Sequence, residues 1–251
     1  MTSAKVASQP GILSYVYGIY ACLAFLPILI AAVLGAIVIP GLDRRRHWVQ
    51  TVCRVFFRIA GIPAHVTGLE NLPDGHCIVV ANHASHVDGM ALQAFLPPRF
   101  SYVIKGEMRN VPGVHFLLRR IGSRFVERFV TSASARDARK LLRASGGDES
   151  FVFFPEGTFI AEPGLGRFRP GAFATAIKGD LPVVPLVIHG ARSILPASAR
   201  LPRHGAVHIE ILQAILPSET AYKSSRELAA AARARMLRVL NEPDLDPPGH
   251  E

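Results

Sequence analysis

An α/β sandwich around a largely buried sheet, preceded by a membrane-attachment segment, follows from three features of this 251-residue chain. Short apolar runs of strand character alternate with stretches of helical period, the pattern of strands connected by helices. Two of those runs, Cys77-Ile78-Val79-Val80-Ala81 and Phe151-Val152-Phe153-Phe154, lack polar alternation, as expected of strands covered on both faces. The third feature is an uncharged stretch from Tyr15 to Pro40, YVYGIYACLAFLPILIAAVLGAIVIP.

As a helix, that stretch is long enough to cross a bilayer. Only Lys5 precedes it and no cleavage site follows, so it is read as retained rather than as a signal peptide. Pro27 removes a backbone donor in mid-run, which leaves a kinked span and a re-entrant helical hairpin open beside one straight helix. Arg44, Arg45 and Arg46 come next and, by the positive-inside bias, keep the remainder of the chain on the cytoplasmic side. Residues 1–60 are thus the expected membrane-attachment region, closed by a membrane-proximal helix over 47–59 that Gly61-Ile62-Pro63 ends.

The remainder, 61–251, is expected to be one α/β domain. Strands are predicted around 65–67, 77–81, 101–104, 123–126, 151–154, 181–189 and 206–212, the sixth broken by Pro182 and Pro185. Helices are predicted at 89–95, 111–119, 133–144, 170–178 and 225–240, the last packing on the domain.

Lys and Arg total 28 against 19 acidic residues, a formal charge of +9, and the mean hydropathy is +0.27. Basicity combined with apolarity favours an anionic membrane surface over nucleic acid, and aromatic and basic residues do not interleave as in a nucleic-acid module. Between Lys105 and Arg143, basic residues outnumber acidic ones ten to three. Such a surface suits anionic headgroups, CoA phosphates or an acidic carrier protein. The three cysteines, Cys22, Cys53 and Cys77, are isolated, giving neither a disulfide framework nor paired metal-ligand spacing.

Two segments carry chemistry. Asn82-His83-Ala84-Ser85-His86-Val87-Asp88 follows one buried-type run, and Phe154-Pro155-Glu156-Gly157-Thr158 ends another. A loop-to-helix turn can bring Asp88 to one ring nitrogen of His83, fixing the tautomer and freeing the other nitrogen to take a proton. No G-x-S-x-G elbow or comparable protein nucleophile accompanies the pair, so it suits activation of a hydroxyl that a substrate brings. Ser85 is read as a cap of the following helix. His86 makes H-x-x-H-x-D a weak metal pattern, and no metal is expected. The Gly157-Thr158 turn can offer backbone N–H groups to an anion, and Glu156 can bind glycerol-like hydroxyls.

Together these blocks resemble the membrane-associated glycerolipid acyltransferases, the family of bacterial 1-acylglycerol-3-phosphate acyltransferases. The family's N-H-x-x-x-x-D and F-P-E-G-T blocks correspond to Asn82–Asp88 and Phe154–Thr158. A block between them resembles the stretch from Lys105 to Arg128, and a fourth resembles Val183-Val184-Pro185-Leu186-Val187. The likeness runs over roughly residues 60 to 215 in the expected order. It implies that His83, supported by Asp88, deprotonates the hydroxyl of lysophosphatidic acid, which attacks the thioester of acyl-CoA or acyl-carrier protein. No cofactor and no acyl-enzyme are implied. Glu156, Gly157 and Thr158 would seat the acceptor, with Lys105, Arg124 and Arg128 as candidate phosphate contacts. The implied location is the bacterial inner membrane, with the catalytic domain on its cytoplasmic side.

Many relatives continue the glutamate block with arginine, whereas Phe159 follows Thr158 here. Arg167 and Arg169 lie close enough in sequence to supply the missing charge. Another lysolipid acceptor stays open, as does a non-catalytic lipid-binding protein.

Overall fold

The computed structural model describes residues 11–126, 142, 149–159 and 162–246. Seven strands, β1 (Ala64–Thr67), β2 (Ile78–Ala81), β3 (Phe100–Lys105), β4 (Arg124–Val126), β5 (Ser150–Phe153), β6 (Val183–His189) and β7 (Val207–Ile211), make one sheet in the order β1-β7-β6-β2-β5-β3-β4. All pairings are parallel except β6 with β7. The described helices are α1 (Ile12–Val38), α2 (Leu42–Ile59), α3 (Asp88–Phe95), α4 (Pro112–Arg120), α5 (Gly171–Gly179), α6 (Ala191–Ile194) and α7 (Ser225–Leu237). The helix expected over 133–144 lies outside the described residues except at 142.

β2 and β5 are buried along their whole length because each face of the sheet carries its own apolar layer. Val79 and Ala81 point with Val152 and Leu186 into a core closed by Phe56 and Phe57 of α2 and Ala91 and Leu92 of α3. Ile78 and Val80 point the other way, with Phe151 and Phe153, toward Phe173 of α5 and Leu228 and Met236 of α7. The result is the expected α/β sandwich. Helix α7 starts with a capping box in which Ser224 Oγ accepts the Glu227 N–H at 3.1 Å.

Pro185 does not break β6. Leu186 opens the regular ladder with β7 at Ile211, while Val183 bridges Ile215. Two residues on one side thus oppose three on the other, and the prolyl nitrogen falls in that irregular stretch, where a donor is dispensable.

The N-terminal region selects among the forms left open for it and differs at one boundary. Pro27 lies inside one unbroken helix, so no re-entrant turn forms within the apolar run; a hairpin is instead made by α1 and α2. Small residues permit the close approach: a Cβ on Gly35 would lie 1.9 Å from the Trp48 indole nitrogen, which donates to Ala31 O at 3.0 Å. The membrane-proximal helix expected over 47–59 begins earlier, at Leu42, and so contains Arg44, Arg45 and Arg46. Arg46 is buried, donating to Ile121 O at 2.9 Å and to Ser101 and Glu149, while Arg45 donates to Arg120 O at 2.8 Å. Two of the three charges therefore dock α2 on the domain.

Candidate active site

Parallel pairing of β2 and β5, with Val80 opposite Phe153, releases the two motif segments at one edge of the sheet. Asn82 fixes where the first leaves it. Its Nδ2 donates to Ile188 O at 3.1 Å and its Oδ1 accepts the Ile188 N–H at 2.7 Å, so the side chain continues the β2–β6 ladder while the main chain turns away.

The five-residue spacing from His83 to Asp88 then has a local cause. Asp88 opens α3, fully buried, and its Oδ2 accepts three hydrogen bonds: from Ala84 N–H at 2.7 Å, Ser85 N–H at 2.8 Å and His83 Nδ1 at 2.8 Å. With Nδ1–H donating to the carboxylate, the lone pair is left on Nε2. Ser85 does not cap α3 as expected. Its hydroxyl donates to Leu195 O at 2.7 Å and accepts the Val87 N–H at 3.2 Å, tying the loop to α6.

Aromatic rings hold the imidazole in place. Phe154 stacks on His83 with ring centroids 4.3 Å apart, and Phe159 leans on it at 4.4 Å while meeting His86 edge-on at 4.7 Å. Sequence reasoning assigned neither ring a role, since nothing in the motif spacing signals that β5 ends over the histidine.

The sequence reading gave Glu156 to the acceptor, but the structure occupies both of its oxygens with backbone donors. Oε1 accepts the His83 N–H at 2.7 Å and Oε2 the Gly166 N–H at 2.9 Å. Burial raises its pKa above the ordinary carboxylate value, opposed by those two donors. Gly157 has φ +71°, and a Cβ there would meet Arg169 Nε at 2.7 Å, so the turn needs glycine both for its backbone and for the guanidinium lying over it.

His83 is one of the residues lining an apolar cavity of about 500 Å³. Phe25, Ile28 and Ala32 of α1, Val52 of α2, Tyr102 and Ile104 of β3, and Leu117 and Leu118 of α4 also line it, as do Thr158, Phe159, His86 and Arg169. The other predicted cations divide. Arg167 is exposed and does not line the cavity. Arg124 reaches Glu149 at 2.9 Å and is also absent from the lining, because the neighbouring strands β3 and β5 bring Glu149 beneath it. Lys105 ends β3, and Arg128 lies outside the described residues.

Among the described residues, a histidine–aspartate pair sits at the strand ends of an α/β sandwich beside an apolar cavity with no serine or cysteine hydrogen-bonded to the imidazole, an arrangement that suits an enzyme activating a hydroxyl on an apolar substrate. A family model described as Acyltransferase matches residues 63–189. The chain is 30% identical over 215 residues to the 1-acyl-sn-glycerol-3-phosphate acyltransferase of Pseudomonas aeruginosa, covering 82% of this chain and 81% of that protein. With the yeast enzyme of the same name, from Saccharomyces cerevisiae, it shares 26% identity over 218 residues, 85% of this chain and 71% of the other. The crystal structure of the 1-acyl-sn-glycerophosphate acyltransferase PlsC from Thermotoga maritima superposes with a TM-score of 0.74 at 24% identity, over 90% of this chain and 94% of that one, and so shares its fold. The chain belongs to the 1-acyl-sn-glycerol-3-phosphate acyltransferase family and is an acyltransferase.

Proposed function

We propose that this enzyme moves a fatty acyl group from acyl-CoA or acyl-carrier protein to the free hydroxyl of lysophosphatidic acid, forming phosphatidic acid. The observation that carries the reading is the His83–Asp88 pair, whose histidine lines the apolar cavity, with Nε2 left to accept a proton. In this mechanism Nε2 takes the hydroxyl proton as the acceptor oxygen attacks the thioester carbonyl. The C–S bond then breaks, and the leaving thiolate takes the proton back from His83. Asp88 supports the transient imidazolium. The cavity holds an acyl chain, and Thr158 and Arg169 face the headgroup.

Phe159 supports a second acceptor reading. It packs on His83 and His86 at the position after the glutamate block, and Arg167 is solvent-exposed, which leaves Arg169 as the one arginine among the described cavity-lining residues. A lysolipid with a less anionic headgroup fits that arrangement. A donor-by-acceptor activity matrix on detergent-solubilised protein tests both readings. Diacyl product from lysophosphatidic acid supports the first, and product only from another lysolipid supports the second. No transfer to any acceptor sinks both.

We read residues 1–60 as the membrane-attachment region and 61–251 as the acyltransferase domain, with α2 packed on both. At 1.5 Å per residue, α1 travels about 27 Å from Gly18, against Leu201, to Ala36, whose carbonyl Arg120 binds at 2.8 Å. The contacts with Leu201 and Arg120 run the helix along the domain, and Tyr20 ties it to α2 at Ile59 O, 2.8 Å away. Its outward stripe of Ile19, Leu23, Leu26, Ile30, Leu34 and Ile37 is exposed and apolar, which supports α1 lying in one leaflet of the inner membrane, on the cytoplasmic side.

A further inference from the structure

We propose that His189, His208 and Glu210 form a surface site for a borderline divalent transition metal, with Zn²⁺ as the type ion, on β6 and β7 and outside the lining of the catalytic cavity. The antiparallel register of β6 and β7 puts His189 directly opposite His208, and Glu210 is two residues further along β7 on the same face. Val207, Ile209 and Ile211 point into the core, so His208 and Glu210 point outward. A ligand atom from each of the three side chains lies within 4.8 Å of the others, and His189 Nε2 is already 3.1 Å from Glu210 Oε2.

The donor set is chemically selective. Two imidazoles and one carboxylate are ligands that zinc accepts together while keeping a further position for water. Metal–ligand distances of about 2.1 Å place tetrahedral donors roughly 3.4 Å apart, against present separations of no more than 4.8 Å. The two histidine rings are nearly parallel, 19° between planes, with centroids 5.3 Å apart. Half-buried side chains leave an entry path.

Thr67 adds an outer partner. The register of β1 with β7 sets Thr67 beside Glu210 on the same face, and its Oγ1 lies 2.9 Å from His208 Nε2. An Nε2–H that donates to this hydroxyl leaves the lone pair of His208 on Nδ1, and a partner of this kind orients a metal-binding histidine. An imidazole–carboxylate pair alone has no use for the second histidine or for Thr67. None of these side chains lines the catalytic cavity, so the ion would join β1, β7 and β6 rather than take part in acyl transfer.

Full-length, untagged protein in detergent, stripped with a chelator and titrated with ZnCl₂ against a chromophoric competitor, tests the site. One equivalent bound at micromolar or tighter affinity is expected, together with a zinc-dependent rise in the thermal midpoint. His208→Ala and Glu210→Gln should each weaken binding by about 100-fold or more, and Thr67→Val by about 10- to 100-fold. Glu210→Gln and Thr67→Val change exposed or half-buried polar atoms only, so they read binding even if His208→Ala fails to fold. Absence of saturable binding at millimolar zinc overturns the site. So does stoichiometric binding that survives both Glu210→Gln and Thr67→Val, the result expected of an ion held elsewhere, for example at exposed Cys22.

Discussion

The carboxylate of Glu156 accepts the backbone N–H of His83 at 2.7 Å, so the glutamate block grips the main chain of the histidine block. Its second oxygen holds Gly166 at 2.9 Å, which links the histidine loop to the segment carrying Arg169. Glu156→Gln keeps one acceptor and turns an NH₂ toward one of the two donors. The expected cost is about 1–3 kcal/mol of stability, with loss of activity beyond it, since the histidine loop shifts. Thermal unfolding and kcat measured on the same preparation check this; a variant with wild-type values in both would refute the grip.

The same carboxyl gives a pH dependence with a definite sign. Its pKa is raised in the folded protein, so the folded state binds more protons than the unfolded state between the two values. Stability therefore falls as pH rises through that window, upward from the ordinary glutamate range, and is highest on its acid side with respect to this group. Glu156→Gln should flatten that part of the stability–pH curve. An unchanged slope would mean that burial does not govern this group.

His83→Ala removes the proton acceptor, and transfer is expected to drop by about 100- to 10,000-fold. Asp88→Asn is the more discriminating change. The amide oxygen can still accept from Ala84 and Ser85, and the NH₂ can occupy the place of Oδ1, which has no hydrogen-bond partner among the described residues. The loop should persist while the negative charge supporting an imidazolium is lost. We expect near-native thermal stability with kcat reduced by about 10-fold or more. Full turnover in Asp88→Asn would show that only the hydrogen bond matters.

Arg169 lies over Gly157 at the cavity, whereas Arg167 is exposed. A charge-assisted contact to a phosphate is worth about 1.5–3 kcal/mol, so Arg169→Ala should raise KM for lysophosphatidic acid by roughly 10-fold or more, with a smaller effect on an uncharged acceptor. Arg167→Ala should stay near wild type. Equal effects of the two substitutions would remove Arg169 from the headgroup.

Residues separated by a few positions were readable from the sequence, and those joined by sheet order were not. The buried strands β2 and β5, the His83–Asp88 spacing and the apolar run of α1 all follow from local composition. Glu156 reads as an acceptor ligand until parallel pairing turns it toward the His83 backbone. Arg124 reads as a phosphate ligand until the order β5-β3-β4 sets Glu149 beside it. Hydropathy marks α1 as membrane-seeking, but only the packing of Gly18 and Gly35 against Leu201 and Trp48 tells that the helix lies along the domain. Each of these is a contact between residues far apart in sequence whose types also suit solvent or substrate.

The C-terminal segment pins the loop that carries Arg169. Leu165 donates its N–H to Pro243 O at 2.9 Å and accepts that of Leu245 at 3.1 Å, while Glu242 Oε2 accepts the Gly164 N–H at 2.7 Å. Arg233 of α7 adds bonds to Leu165 O at 2.8 Å and Gly166 O at 3.1 Å and pairs with Asp244. Because Gly166 is also the second contact of Glu156, strain in this strap reaches both Arg169 and the histidine loop. Arg233→Ala should therefore raise acceptor KM several-fold while changing kcat less. Arg233→Lys should rescue only part of the loss, since an ammonium cannot reproduce the guanidinium fork. The KM effect should be measurable even where the melting temperature moves little. A lowered melting temperature with unchanged KM and kcat would reduce the strap to a purely structural tie.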